Sequence, residues 1–235
     1  MLLSLIQMLA HKDLYSEYQL KLIVAELILS IPIILLTLSV HETAHGYVAH
    51  KLGDPTARSL GRLTLNPFKH FDAIGFFMMM LVGYGWAKPV PINTRYFKNP
   101  KRDMAICAAA GPLSNLLMAV LFAGLFKLFL LGVDMITIQN EFTYNLLMLI
   151  SIFFRSGVEI NVMLAIFNLI PIPPFDGSRI ALAFLPSHVY FKIQRYEKYI
   201  FIAFFALLLT NILDPVLYFL RNGVITLIYM LFGIV

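Results

Sequence analysis

The sequence predicts an all-α, polytopic membrane protein with about 4 to 6 transmembrane helices and a re-entrant or β-hairpin element on the cytoplasmic side. Three observations carry this fold class. Of 235 residues, 60% are apolar and 13% charged, whereas charged residues approach a quarter of a soluble domain. Mean hydropathy is +0.80. Apolar stretches long enough to cross a bilayer, which takes about 20 residues, recur at 20 to 49, 103 to 132, 150 to 172 and 199 to 220.

Along the chain, the first ten residues are apolar but lack a basic leader and a small-residue cleavage site. They read as an interfacial segment or a cap on the first span, not as a removable signal. The first span is followed by Lys51, Arg58, Arg62 and Lys69, and the second is preceded by Lys88, Arg95, Lys98, Lys101 and Arg102. Arg179, Lys192, Arg195 and Lys198 lie between the third and fourth spans. Lys and Arg gather on the cytoplasmic side, so these 13 of 18 basic residues place the N-terminus outside. That assignment holds only if 71 to 87 does not cross. Residues 71 to 102 therefore read as re-entrant, around a Gly- and Pro-rich centre at 83 to 91 that suits protein or a water-filled cavity better than lipid. Two further pieces, 141 to 150 and 223 to 235, stay ambiguous as crossings.

The net charge of +5 sits in short loops beside apolar spans rather than in aromatic-laced patches, which argues for headgroups and topology and against nucleic acid. Cys107 is the only cysteine. A disulfide framework and a cysteine-rich metal cluster are thereby excluded, and any metal must be held by His, Asp or Glu.

His41-Glu42-Thr43-Ala44-His45 lies inside the first apolar span. On a helix, residues four apart share a face, so His41 and His45 can offer two imidazoles to one metal while Glu42 reaches water held there. With six His and six Glu in the chain, chance supplies about 0.004 such matches. His41 is ten residues before Lys51, about 15 Å below the polar boundary at 1.5 Å per residue. A tetrahedral catalytic site needs another protein donor. Asp176, in the proline-broken Asn168-Leu169-Ile170-Pro171-Ile172-Pro173-Pro174-Phe175-Asp176-Gly177, ends the third span on the same side. Taken alone it equally suits an N-cap for the segment at Ser178. Asn115, within the second span, suits an interhelical hydrogen bond or a donor to a developing oxyanion. His50 reads as a solvated residue, His70 as part of a loop, and Arg155 with Glu159 as a pair four residues apart.

Gly53-Asp54-Pro55-Thr56-Ala57, Gly61 through Pro67, Lys69-His70-Phe71-Asp72, the stretch from Gly85 to Pro91, Gly111-Pro112-Leu113-Ser114-Asn115 and Asn168 through Gly177 accompany the histidine motif. With it they make residues 35 to 180 resemble the site-2 protease family. The resemblance implies an intramembrane zinc metalloprotease with one Zn2+ per chain, held by His41, His45 and Asp176, and Glu42 as base. It implies that Asn115 and Asn168 occupy positions linked to the active-site region, and that the substrate is a single-span membrane protein in the lipid bilayer of a prokaryotic cell. The whole chain then reads as one integral-membrane protease domain, 1–235, with a catalytic core at about 20–180 and C-terminal helices at 181–235. It is similar to the compact branch with no PDZ-like insertion and no nucleotide-sensing domain. Ser39 departs from the aliphatic residue often found shortly before the first histidine. Two other classes compete: a zinc transporter or metal-sensing membrane protein, and an inactive relative that binds helices without cutting them. Transport predicts polar residues through the full bilayer, whereas the candidate ligands cluster at one depth and the outer halves of the spans read as mostly apolar.

Overall fold

The computed structural model describes residues 17–82, 85–137, 140–208, 210 and 212–234. The interfacial reading of the first ten residues and the Gly83-Tyr84 part of the re-entrant centre lie outside these. Among the described residues there are nine α-helices and no strand. They are α1 (Glu17–Lys51), α2 (Thr56–Ser59), α3 (Pro67–His70), α4 (Ala73–Val82), α5 (Pro100–Val133), α6 (Glu141–Asn168), α7 (Asp176–Ala183), α8 (Ser187–Leu208) and α9 (Asp214–Leu231), with a 3-10 turn at Thr94–Tyr96.

Three of them, α1, α5 and α6, are long and apolar enough to cross a membrane, and they pack on one another as the core of the molecule. The protein is membrane-integral. Its α5 shows how the sequence divides the helix surface: Leu113, Leu117, Leu121, Leu125 and Leu128 are exposed, at spacings that place them along one stripe. Lipid tails solvate such a stripe without penalty, while small residues let the opposite side approach its neighbours. That opposite side carries the buried Cys107, Ala108, Gly111, Ala119 and Ala123. Ile33, Ala119, Phe122, Ala123, Val158, Val162 and Ile228 form the central cluster. At Gly157 an added Cβ would lie 2.3 Å from Phe122 Cδ1. Gly157→Ala is expected to destabilise the protein by about 1–3 kcal/mol through overpacking, read as a lower Tm in detergent.

Two span boundaries differ from the sequence expectation. The stretch from 199 to 220 is not one crossing: α8 ends at Leu208 and α9 begins at Asp214 with Pro215 in its first turn. Proline has no amide hydrogen for a continuing helix, and an apolar window average does not register that break. The third span starts at Glu141 rather than 150 and ends at Asn168, which absorbs the ambiguous 141 to 150. Residues 223–231 of the 223 to 235 piece belong to α9. The ten-residue α4 is about 15 Å long, too short to cross, as the basic flanks require. Residues 85–93 carry no regular secondary structure, so no hairpin is formed there by the described residues.

Side chains at the end of α1 fix the irregular segments. Thr43 Oγ1 and His70 Nε2 both donate to Thr64 O, at 2.6 and 2.7 Å. Lys88 N donates to His70 O at 2.9 Å. Buried Asp54 accepts from Thr56 N, Thr56 Oγ1 and Asn93 N. His70 and Asp54 thus tie loops together, and the side chain of half-buried His50 meets Arg58 at 3.3 Å.

Candidate metal centre

Residues up to 135 positions apart in the chain meet at one point. His41 Nε2 and His45 Nε2 are 3.1 Å apart, and Asp176 Oδ2 is 3.2 Å from each. Both histidines are buried. A tetrahedral zinc bound at about 2.0–2.1 Å separates neighbouring donors by about 3.3 Å, so the triangle fits three corners of one such site. Among the described residues this is the one His/Cys/Asp/Glu group with converging ligand atoms.

Each donor is held by an identifiable local device. His45 Nδ1 lies 2.8 Å from Cys107 O. A carbonyl only accepts, so Nδ1 carries the hydrogen and Nε2 presents its lone pair to the centre. Cys107 Sγ donates back to His45 O at 3.2 Å. Four residues later on α5, Gly111 leaves room for both rings: an added Cβ would be 2.5 Å from His41 Cε1 and from His45 Nε2. Asp176 opens α7 but forms no side-chain cap, and the preceding Phe175 N-cap has none either. The N-cap alternative is therefore not what the carboxylate does. Gly177 lets the start of α7 lie against Leu169, whose carbonyl oxygen would be 2.2 Å from an added Cβ. Ser39 Oγ bonds back to Leu35 O at 2.6 Å and stays clear of the triangle.

Glu42 is buried beside the triangle, and its Oε2 accepts from Val90 N at 2.7 Å. Its Oε1 has no protein donor among the described residues. All four groups line a cavity of about 620 Å³ with Leu38, Trp86, Phe167, Phe201 and Phe205 among its apolar walls. This is the size and lining of a ligand site: apolar walls with a few convergent polar groups. The wall formed by α8 is attached through the Arg179–Glu197 ion pair at 3.2 Å and the Trp86–Phe201 ring contact.

The two asparagines part company. Asn168 lines the cavity, with its Nδ2 donating to Leu164 O at 2.9 Å. Asn115 is fully buried, has no partner on Nδ2 or Oδ1 among the described residues, and does not line the cavity. No interhelical bond from it is found among the described residues. Pairing of Arg155 with Glu159 is likewise not found among the described residues. Strand addition along all of 85–93 is also curtailed, because Lys88 N, Val90 N and Asn93 N are spent on His70, Glu42 and Asp54. Sequence reasoning missed Cys107 O and Val90 N, and it named Gly111 only within a motif, without a role. The first two are backbone groups with no side-chain signature.

The sequence profile of Peptidase family M50 matches residues 133–211, a third of the chain that includes Asp176. The chain is 40% identical over 190 residues to "Putative zinc metalloprotease YwhC" of Bacillus subtilis, covering 81% of this chain and 84% of that one. It is 30% identical over 151 residues to "Putative zinc metalloprotease MJ0611" of Methanocaldococcus jannaschii, covering 63% and 71%. A third relative, "Putative zinc metalloprotease Rip2" of Mycolicibacterium smegmatis, is 29% identical over 61% of this chain and 52% of its own length. No solved structure matches the chain. A relative this similar over most of both lengths, together with the family match, shows that the chain belongs to peptidase family M50, the site-2 protease family, and is a metalloprotease.

Proposed function

We infer that the protein is an intramembrane zinc protease that hydrolyses peptide bonds within or near the transmembrane segments of single-span membrane proteins. The observation that carries this reading is the donor triangle His41, His45 and Asp176 with Glu42 beside it, on the wall of a cavity inside a bundle of membrane-spanning helices. One Zn2+ per chain suits the three converging donors. A zinc ion held there supplies Lewis acidity, acidifying a water and polarising the scissile carbonyl.

Glu42 acts as the base: Val90 N–H fixes Oε2, leaving Oε1 to take a proton and return it to the leaving amine. His45 stays in one tautomer because Cys107 O holds its Nδ1 hydrogen. A substrate helix has its carbonyls already hydrogen-bonded and must unwind locally before attack. The apolar walls receive the unwound side chains, and the backbone of residues 85–87, whose amides make no backbone hydrogen bond among the described residues, offers pairing. With the basic loops in the cytoplasm, the metal lies nearer that side, water reaches it from there, and the N-terminus is extracytoplasmic.

The experiment is cleavage of a single-span reporter in liposomes by the purified protein. Cleavage is expected to stop with a chelator and return with zinc. The transporter reading gains one observation: Glu26, Glu159 and Arg221 line a cavity that adjoins the metal cavity and runs toward the outer half of the bundle, so that half is less apolar than the sequence suggests. Zinc flux into the same liposomes without reporter cleavage would select it instead.

A further inference from the structure

The cavity at the metal does not end there. Gly85, Leu164 and Phe167 are shared with a second cavity of about 270 Å³ that continues between α1 and α6. This in turn shares Glu26, Ser156 and Glu159 with a third, of about 320 Å³, which reaches Tyr18 and Met148 near the helix starts. Together they form one crevice along the face where α1 and α6 run side by side.

The chemistry changes along it. Near the metal the walls are Ile34, Met163, Leu164 and Phe167. At the junction of the second and third cavities stand two carboxylates on facing helices, the exposed Glu26 and the half-buried Glu159, with the hydroxyl of Ser156. Neither carboxylate has a hydrogen bond or ion pair among the described residues. Two arginines stand nearby without contacting them. Arg221 bonds Asn222 at 3.3 Å and lies over the Tyr218 ring, and Arg155 lines the third cavity with both carboxylates and acts on Glu26 through space, but forms an ion pair with neither among the described residues. Carboxylates within apolar membrane helices are expensive unless something pairs with them, and no donor among the described residues contacts either one.

We propose that this crevice docks the part of a substrate helix that lies away from the cleaved bond, and that Glu26 and Glu159 receive a Lys or Arg side chain from it. The proposal rests on the proteolytic reading for what is docked. It also supplies a ruler. Glu26 is fifteen residues before His41 on the same helix, about 22 Å, and Glu159 is nine residues before Asn168, about 14 Å. The selected substrate cation would lie roughly 10–15 helical residues from the peptide bond at the metal.

Binding tests this without cleavage. Protein carrying Glu42→Gln in nanodiscs is titrated with labelled single-span peptides bearing Lys, Leu or Glu at that distance. About tenfold tighter binding of the Lys peptide is expected, with the difference abolished by Glu26→Gln together with Glu159→Gln. The double reversal Glu26→Lys with Glu159→Lys should prefer the Glu peptide, an inversion that a misfolded protein cannot produce. Equal binding of the three peptides, no binding of any, or a Lys preference that survives both double variants overturns the proposal. Charge-selective binding by a protein that cleaves no reporter would instead overturn the proteolytic reading and leave the docking site standing.

Discussion

Glu42→Gln is expected to lower reporter cleavage by about a thousandfold, within the range removed with a general base, while zinc content stays at the wild-type level. The separation of the two readouts follows from geometry. Glu42 is not among the converging donors, so the metal loses no ligand. Its Oε2 is held by Val90 N–H, and a carboxamide oxygen of the same size keeps that bond, so the segment at 85–93 stays in place and KM changes little. What the carboxamide lacks is a basic oxygen to take the proton. Asp176→Ala should behave differently, losing zinc and cleavage together, because Oδ2 is one corner of the donor triangle. Metal analysis alongside initial rates distinguishes the two. Residual cleavage by Glu42→Gln within tenfold of wild type would remove the assignment of the base.

The part of this centre legible in the sequence is the part encoded locally. His41, Glu42 and His45 announce themselves because a helix brings positions four apart onto one face. Asp176 is less local, but three prolines and a carboxylate at the end of an apolar span signal broken backbone beside a cavity. The rest depends on how α5 lies against α1. His45 meets Cys107, His41 meets Gly111 and Ile33 packs with Ala119, an antiparallel register that no residue in either helix specifies alone. For the same reason the partner of His45 Nδ1 could not be foreseen: it is a main-chain carbonyl. Asn115 shows the other side of this: its type suggested two roles, and its register buries it away from the cavity lining with no partner among the described residues. The split between α8 and α9 was hidden because hydropathy averages over Pro215, and the crevice lined by Glu26 and Glu159 because residues far apart in the chain assemble it.

Gly111→Ala is expected to weaken zinc binding by about 10–100-fold, the scale of change seen when the support of metal ligands is disturbed, although Gly111 itself ligates nothing. A methyl group there would sit 2.5 Å from His41 Cε1 and His45 Nε2 and 2.6 Å from His41 Nε2, against about 3.5–4.0 Å for an ordinary contact. Neither ring can yield freely. Turning His45 breaks the bond from its Nδ1 to Cys107 O, and turning His41 moves its Nε2 off the triangle. The backbone resists as well, because α5 packs along α1, α6 and α7. The methyl therefore acts on the ligating nitrogens first, so zinc affinity should fall far more than the Tm of the metal-free protein, and cleavage should recover part of its rate at raised zinc. Gly223→Ala on α9, where nothing lies within 4 Å of the added Cβ, controls for a glycine replaced in a helix and should keep its zinc. Competition with a chelator of known affinity reads the difference directly; equal zinc affinity in Gly111→Ala and wild type would show that the two helices move apart to admit the methyl, and that Gly111 serves packing rather than the centre.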